Sequence, residues 1–274
     1  MLVNLNYIFN QYKDQCIAAF NVFGYEDAVS VIKAAEELNK PVILMANTPA
    51  IKHMPIPILG KMLCSLADIS SVPVCVHLDH STNLEDVIAA IKAGFTSVMF
   101  DCSQLEYDEN VKKTKVVVKL AHSNNVSVEG EIGSVGYNDP SVTAKSEYTE
   151  ISAAKRYAEA TDIDALAIAV GTVHRMVTQS AMIKFDLIKQ IRDVTNVPLV
   201  IHGSSGVKDS DLTLLAQYGI RKINLGTVLR LAFGNTMRET LKQYPEMFDR
   251  IDVFKFSMDA VYKEAKSKML AIEY

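Results

Sequence analysis

Val72-Pro-Val-Cys-Val-His77-Leu-Asp79-His80 is an apolar run that ends in two histidines flanking a carboxylate. Two later apolar runs end in a similar way, at His174 and at His202. A buried strand with histidine and carboxylate side chains at its exit is typical of metal and acid/base sites. The fold and the chemistry therefore depend on whether these three strand ends meet.

Apolar runs rich in β-branched residues alternate along the chain with stretches of helical periodicity. We predict strands at 17–22, 42–47, 72–80, 97–101, 126–132, 165–174, 197–203 and 222–227. We predict helices at 26–38, 82–93, 109–122, 153–161, 185–195 and 209–218, with an irregular polar loop at 134–149. Thr82 and Glu85 have the spacing of a capping box, which predicts that the second helix starts there.

Eight strand-then-helix units with near-continuous apolar strands predict a parallel sheet closed into a (β/α)8 TIM barrel. An open doubly wound sheet is the alternative, but no Gly-rich dinucleotide turn follows the first strand. The chain has 274 residues, 49% of them hydrophobic, which suits one domain over 1–274. A helical extension is predicted at about 229–274, and part of it is expected to reach a neighbouring subunit.

The composition predicts a cytoplasmic protein that acts on small molecules. Acidic residues outnumber basic ones, 32 to 28, and the basic ones are scattered, so nucleic acid and anionic membranes are not expected partners. We expect no secretory signal and no membrane span, because no apolar run reaches about 18 residues. The cysteines form no CxxC pair and are expected to be reduced thiols; they are Cys16, Cys64, Cys75 and Cys102.

Active sites of such barrels lie at the carboxyl ends of the strands. Three histidines there, His80, His174 and His202, supply the ligand count of a catalytic zinc site with a fourth position open. One histidine alone is more often structural, but three on one rim favour a metal. His77 is expected to point into the barrel or to support the site, and the remaining two histidines to be surface or packing residues.

Small residues after the last two strands suggest a phosphate site. Gly203-Ser204-Ser205 and Gly226-Thr227 offer backbone N–H groups that can approach an anion, where barrels often bind phosphate. Ordinary turn chemistry is the alternative explanation. Candidate substrate-binding residues on the rim are Asn21, Thr48, Asp101, Ser103, Gly171, Arg175, Gly203, Ser204, Ser205, Asn224, Gly226 and Thr227.

Motifs along essentially the whole chain resemble class II, zinc-dependent ketose-bisphosphate aldolases. They are AFNV at 19–22, VPVCVHLDH at 72–80, GFTSVMFDCS at 94–103, ENVKKTK at 109–115, VSVEGEIG at 126–133, DALAIAVGTVH at 164–174, PLVIHGSSG at 198–206 and INLGT at 223–227. The combination of HLDH with HGxSG is the most specific part of this resemblance.

The resemblance implies zinc on His80, His174 and His202, with Glu131 as a carboxylate for an alternative metal position. It makes Asp79 the base that takes the proton of the substrate C4 hydroxyl, while zinc polarises the C2 carbonyl and stabilises the enediolate. It also implies a C1 phosphate at the glycine-rich turns beside a monovalent cation, Na⁺ or K⁺, and dihydroxyacetone phosphate as a product. No lysine is expected on a barrel strand to form a Schiff base.

The chain departs from the family pattern at several positions. Arg175 follows His174 where the family has glycine, and the tyrosine and lysine usual just beyond are missing. Arg175 is expected either to clash with the usual substrate pose or to replace that lysine. Asp139 stands where the family's GG-x-E loop has its catalytic glutamate, one methylene longer. Val228 replaces a usual acidic residue and Gly24 a usual asparagine, so the sugar's identity stays open.

The leading prediction is a metal-dependent aldolase that cleaves a ketose 1-phosphate or ketose bisphosphate to dihydroxyacetone phosphate and an aldehyde. A non-catalytic protein that binds metal and phosphosugar is one alternative, and a metal-dependent phosphosugar isomerase or epimerase is another. The expected partners are a phosphorylated sugar and further copies of the chain, in a homodimer or larger homo-oligomer.

Overall fold

The structure is a computed structural model that describes residues 1–139, 142 and 144–273. Its strands are β1 Leu2–Val3, β2 Ile17–Asn21, β3 Val42–Ala46, β4 Val74–Ser81, β5 Ser97–Phe100, β6 Ser127–Ile132, β7 Gly136–Tyr137, β8 Ala165–Ile168, β9 Val173–His174, β10 Leu199–Ile201 and β11 Ile220–Leu225. Its helices are α1 Leu5–Gln11, α2 Tyr25–Leu38, α3 Thr48–His53, α4 Ile56–Ile69, α5 Leu84–Ala93, α6 Tyr107–His122, α7 Ile151–Thr161, α8 Phe185–Val194, α9 Asp209–Gln217, α10 Thr227–Gln243 and α11 Arg250–Ala271, with a 3₁₀ turn at Ser204–Gly206.

The described strands close into a ring of eight. In ring order they are β2, β3, β4, β5, β6, β8, β10 and β11, and β11 pairs with β2, so that the ring has no edge. Every pair in the ring is parallel. The predicted (β/α)8 barrel is therefore confirmed, and the open doubly wound sheet is excluded.

Alternate residues of each strand face opposite sides of the barrel wall. Phe20, Leu44 and Val76 face outward and pack against the helices. Ile43, Met45 and Cys75 belong to a separate interior cluster. Because of the same alternation, the polar residues at the carboxyl ends of the strands also lie at inward-facing positions.

Helix α1, which the sequence patterns did not predict, packs into the amino-terminal side of the barrel interior. Its buried Leu5, Ile8 and Phe9 join the interior cluster with residues of the strands, including Ile17 and Val200. One end of the barrel is therefore filled by apolar side chains, and the polar groups gather at the other end.

Two local predictions differ from the structure. Helix α5 begins at Leu84, and Asn83, not Thr82, caps it by accepting a hydrogen bond from the Asp86 N–H at 2.7 Å. An asparagine side chain one residue closer to the helix satisfies this donor directly. The run predicted as one strand over 165–174 is two strands, β8 and β9, because the chain turns at Gly171, where φ is +111°.

The predicted C-terminal helices are α10 and α11, which pack against each other, and α11 also packs against α2. Residues 140, 141 and 143 of the predicted loop 134–149 and Tyr274 of the predicted extension lie outside the described residues. No helix in the described part of the chain is both long and apolar enough to cross a membrane.

Candidate active site

One pocket opens at the carboxyl ends of the barrel strands and collects most of the predicted site residues. It is lined by Asn21, Phe23, Asn47, Thr48, Pro49, Asp79, His80, Tyr137, His174, Arg175, His202, Gly203, Ser204, Ser205, Asn224, Gly226, Thr227 and Arg230. Sequence reasoning did not single out Phe23, Tyr137 or Arg230 as site residues. Arg230 could have been found, because it lies three residues after Thr227 on the same face of α10.

Other predicted residues lie outside this lining. Ser103 donates through its N–H and its hydroxyl to Asp101 Oδ1, at 3.0 and 2.7 Å, so that it supports Asp101. A side chain on Gly171 would meet the Met182 carbonyl oxygen at 2.0 Å, so this glycine is needed for the turn between β8 and β9. Ser103 and Gly171 therefore do not line the pocket but hold neighbouring parts of the site in place.

The three predicted histidines converge. A ring nitrogen from each of His80, His174 and His202 lies within 4.8 Å of the others. His80 lies near the end of β4 and His202 directly follows β10, as predicted. His174 does not end a barrel strand: it lies in β9, which pairs with β7 above the barrel rim. The histidines therefore meet although one reaches the pocket from a separate strand.

Two buried carboxylates orient two of these rings. Asp101 accepts from His80 Nδ1 at 2.7 Å, and Glu129 accepts from His202 Nε2 at 2.8 Å. Because a carboxylate only accepts, these bonds leave His80 Nε2 and His202 Nδ1 with their lone pairs facing each other, 2.8 Å apart. Two lone pairs at that distance repel unless a proton or a cation lies between them.

The electrostatics of the cluster favour neutral rings beside one charged ring. Burial lowers the pKa of His80, but the nearby charges of Asp79 and Asp101 outweigh it and raise that pKa to about 10. Burial, with the positive charge of His80, lowers the pKa of His174 to about 3 and that of His202 well below its usual range. His174 and His202 are therefore neutral, which is the form of histidine that binds a metal, and a bound metal would displace the extra proton of His80.

Glu131 supplies a second indication of a cation. It is 2% exposed, and among the described residues its Oε2 has no hydrogen-bond partner. Burial, followed by the charge of Asp101, raises its pKa well above the usual range. Oxygen and nitrogen atoms of His80, Asp101 and Glu131 lie within 4.8 Å of one another. Three imidazoles beside an unsatisfied carboxylate are a donor set that suits zinc.

Among the described residues that line the pocket, Asp79 is the only carboxylate. It is 2% exposed, and the side-chain amides of Asn21 and Asn224 donate to its two oxygens at 3.0 and 3.3 Å. These amides orient the carboxylate without neutralising it, so that both oxygens keep free lone pairs. A carboxylate held in this way can accept a proton from a bound molecule.

The opposite wall of the pocket has the shape of an anion site. Gly203 has φ of +68°, and a side chain on it would meet the Val173 carbonyl carbon at 2.7 Å, so the backbone is packed closely there. Helix α10 begins at Thr227, directly beside this turn, with Gly226 at its N-cap position. The N-terminus of a long helix presents free N–H groups and a partial positive charge to an anion.

Arg175 also lines the pocket, but its guanidinium binds Asp139. The guanidinium lies 5.6 Å from the centre of the Tyr137 ring. The two departures from the family pattern, an arginine and a shortened carboxylate, are thus in direct contact across the rim. In this arrangement Asp139, and not the Gly203–Ser205 turn, is the partner of Arg175.

The predicted strand over 222–227 begins with a lysine, which was not expected to form a Schiff base. Lys222 lies within β11, which begins two residues earlier than predicted, and its side chain faces inward. Its Nζ donates to Glu129 Oε2 at 2.7 Å, and both side chains are fully buried. His77 lies in the same interior layer, with its Nδ1 2.8 Å from Ser97 Oγ, as expected for a residue pointing into the barrel. Lys222 therefore holds Glu129 and does not line the pocket.

The family model for class II fructose-bisphosphate aldolases matches residues 3–273. The YdjI aldolase from Escherichia coli K12 is 32% identical, with a TM-score of 0.88, and the match covers 99% of this chain and 97% of that chain. A putative fructose-1,6-biphosphate aldolase from Coccidioides immitis is 22% identical, with a TM-score of 0.86 over 97% of this chain and 94% of that one. Fructose-bisphosphate aldolase (Fba) from Campylobacter jejuni is 22% identical, with a TM-score of 0.83 over 99% and 95%. The likeness to the two structures at 22% identity supports the fold. The family match spans every strand that contributes to the pocket.

Proposed function

The chain belongs to the class II fructose-bisphosphate aldolase family and is an aldolase, and we propose that it cleaves a ketose 1-phosphate or ketose bisphosphate to dihydroxyacetone phosphate and an aldehyde. The observation that carries this proposal is the meeting of three histidines and Asp79 in one pocket beside a helix N-terminus. This arrangement combines a metal-binding group, a proton acceptor and an anion site within reach of one small substrate.

We propose His80, His174 and His202 as zinc ligands, with Glu131 as a ligand for an alternative metal position. The approach of His80 Nε2 and His202 Nδ1 to 2.8 Å and the unsatisfied Glu131 oxygen support this assignment. Zinc bound there would supply Lewis-acid polarisation of the substrate carbonyl. Asp101 and Glu129 would keep the proton on the outward nitrogens of the two rings they contact.

Asp79 is proposed to take the proton of the C4 hydroxyl as the C3–C4 bond breaks, which releases the aldehyde. Asn21 and Asn224 hold its carboxylate in place for that transfer. Asp139, on the rim, is proposed to supply the proton that C3 needs to complete dihydroxyacetone phosphate. A carboxylate fixed by two amides loses little entropy when it reaches the reacting hydroxyl.

The C1 phosphate is proposed to bind between the Gly203–Ser205 turn and the start of α10, with a monovalent cation beside it. The left-handed Gly203 and the N-terminus of α10 support this position. Among the arginines that line the pocket, Arg230 lies closest in sequence to the start of α10, one helical turn after Thr227.

The test measures metal content and product release together. We expect about one zinc per chain by elemental analysis, and dihydroxyacetone phosphate from at least one member of a ketose 1-phosphate and bisphosphate panel in a coupled assay. Asp79→Asn is expected to lower kcat by about 10²–10⁴-fold while the zinc content stays unchanged. Asp252→Asn, an exposed aspartate of α11, is the matched control.

Each alternative function has its own outcome in this test. Zinc and sugar binding without turnover on any member of the panel would favour a non-catalytic phosphosugar-binding protein. A rearranged sugar without C–C cleavage would identify an isomerase or epimerase. A protein that cannot be loaded with zinc would refute the metal assignment.

We also propose a homo-oligomer and a cytoplasmic location. The outer ends of α10 and α11 and the segment between them expose large apolar side chains, with Phe248 at 95% and Ile251 at 69% exposure. Large apolar side chains exposed in one region of the surface are typical of a protein interface. Light scattering coupled to size-exclusion chromatography measures the assembly. The described cysteines are all free thiols, which suits a reducing compartment.

A further inference from the structure

The segment that carries Asp139 is bound to the segment that carries His174 by main-chain contacts. Strand β7 pairs in parallel with β9, so that Gly136 lies beside Val173 and Tyr137 beside His174. The Asn138 N–H then donates to the His174 carbonyl oxygen at 2.9 Å. Two-residue strands are weak on their own, so side chains must contribute to hold this pairing.

Those side chains form a stack over the pocket. The Tyr137 ring lies on the His174 ring, with centroids 4.7 Å apart and planes at 27°. The Arg175 guanidinium lies 5.6 Å from the centre of the Tyr137 ring and also binds the Asp139 carboxylate. Arg175 is thus the residue that joins the ring stack to Asp139.

The backbone of Arg175 shows that an arginine is retained here against a conformational cost. Its φ is +60°, in the left-handed region where a residue with a side chain is about 1 kcal/mol less favourable than glycine. Such strain persists where the surrounding contacts compensate for it, and it is concentrated at functional positions. The guanidinium contacts are the compensation visible at this position.

We propose that Arg175 is a positioning residue that fastens the Asp139 segment to the His174 segment, and so holds the Asp139 carboxylate at the pocket before substrate binds. A partly exposed ion pair is worth little alone, because solvent screens it. Here the two contacts of the Arg175 side chain, with the Tyr137 ring and with Asp139, act together with the β7–β9 pairing. The proposal rests on the proposed function only for the catalytic role of Asp139.

This role also accounts for the shortened carboxylate. An aspartate reaches one methylene less far than a glutamate, and a misplacement of about 1 Å can lower a rate about a hundredfold. A loop that is held close to the pocket removes the need for the longer side chain. The arginine after His174 and the aspartate at 139 are therefore one coupled adaptation.

Hydrogen–deuterium exchange of substrate-free protein tests the positioning directly. We expect Arg175→Ala to raise the exchange rate of amides over 136–139 and 173–175 by about tenfold, and Arg175→Lys to restore part of the protection. Arg175→Gly removes the guanidinium and relieves the backbone, so it separates the two effects: it should lose the same protection as alanine. Arg156→Ala is the matched control, because Arg156 lies 5.1 Å from the Tyr107 ring on α6, away from the pocket.

Kinetics distinguish positioning from substrate binding. A positioning role predicts that Arg175→Ala lowers kcat by about tenfold or more with KM little changed. Unchanged exchange in all the Arg175 variants, or a raised KM at normal kcat, would overturn the proposal and assign Arg175 to the phosphate instead. The exchange experiment needs no turnover, so its result stands even where no sugar of the panel is cleaved and the proposed function fails.

Discussion

Replacing Lys222 with methionine should destabilise the barrel more than any surface change. Methionine keeps most of the apolar length of lysine but removes the ammonium that donates to Glu129 at 2.7 Å. Both side chains are 0% exposed, so water cannot replace the lost partner. Glu129 would keep its contact with His202 and face the interior without a countercharge.

The magnitude follows from this burial. Removing one partner of a buried ion pair lowers the free energy of unfolding by about 3–5 kcal/mol. That is a large share of the roughly 5–15 kcal/mol that stabilises a typical protein. An unfolding entropy of about 2.1 cal/mol/K per residue gives about 0.6 kcal/mol/K for this chain, so the melting temperature should fall by about 5–8 °C.

Urea unfolding followed by far-ultraviolet circular dichroism measures the loss, since the chain has no tryptophan. The control is the double variant Lys222→Met with Glu129→Gln, which removes both charges and keeps an acceptor for His202. We expect the double variant to recover to within about 1–2 kcal/mol of wild type. A single variant within about 1 kcal/mol of wild type, or a double variant no better than the single, would refute the buried-pair reasoning.

Three further predictions test other parts of the structure. Gly203→Ala should abolish turnover in the proposed assay but leave the fold intact by circular dichroism, because the new methyl group would lie 2.7 Å from the Val173 carbonyl carbon at φ +68°. Asn83→Ala should lower the free energy of unfolding by about 1 kcal/mol in urea, and Asn83→Asp should not. Burial raises the pKa of Asp27, although its bond to the Phe23 N–H opposes this, so its contribution to stability is complete below the unfolded-state pKa and is lost as pH rises through the folded-state pKa. The stability of Asp27→Asn relative to wild type should therefore increase from acid to neutral pH in urea titrations, and a flat difference would contradict the shift.

The barrel and most of its site were predictable because the strands and the residues at their ends can be recognised from the local sequence. An apolar run of β-branched residues predicts a buried strand, and parallel strands of a barrel must present their carboxyl ends on one rim. That reasoning placed Asp79, His80 and His202 in one pocket, where the structure has them. A polar residue that follows an apolar run can be recognised from the sequence without any knowledge of tertiary contacts.

The parts that were missed depend on such contacts. His174 was expected at the end of a barrel strand, but the chain turns at Gly171, so His174 lies in the separate strand β9. It reaches the pocket because β9 pairs with β7. The ion pair between Arg175 and Asp139 joins two loops whose approach no local pattern indicates. Lys222 starts the predicted strand over 222–227, but no local pattern indicated its buried ion pair with Glu129 on β6.

The position of α1 inside the barrel implies an order in which parts of the chain fold during protein synthesis. Leu5, Ile8 and Phe9 leave the ribosome before the barrel strands do, yet the interior cluster they join includes Val200, which is translated almost 200 residues later. Contacts between residues so distant in sequence form late, because the chain between them must first be ordered. Helix α1 is therefore translated before the barrel strands but is among the last elements to reach its place, and the nascent chain must keep its apolar face from other partners until the barrel wall is nearly complete.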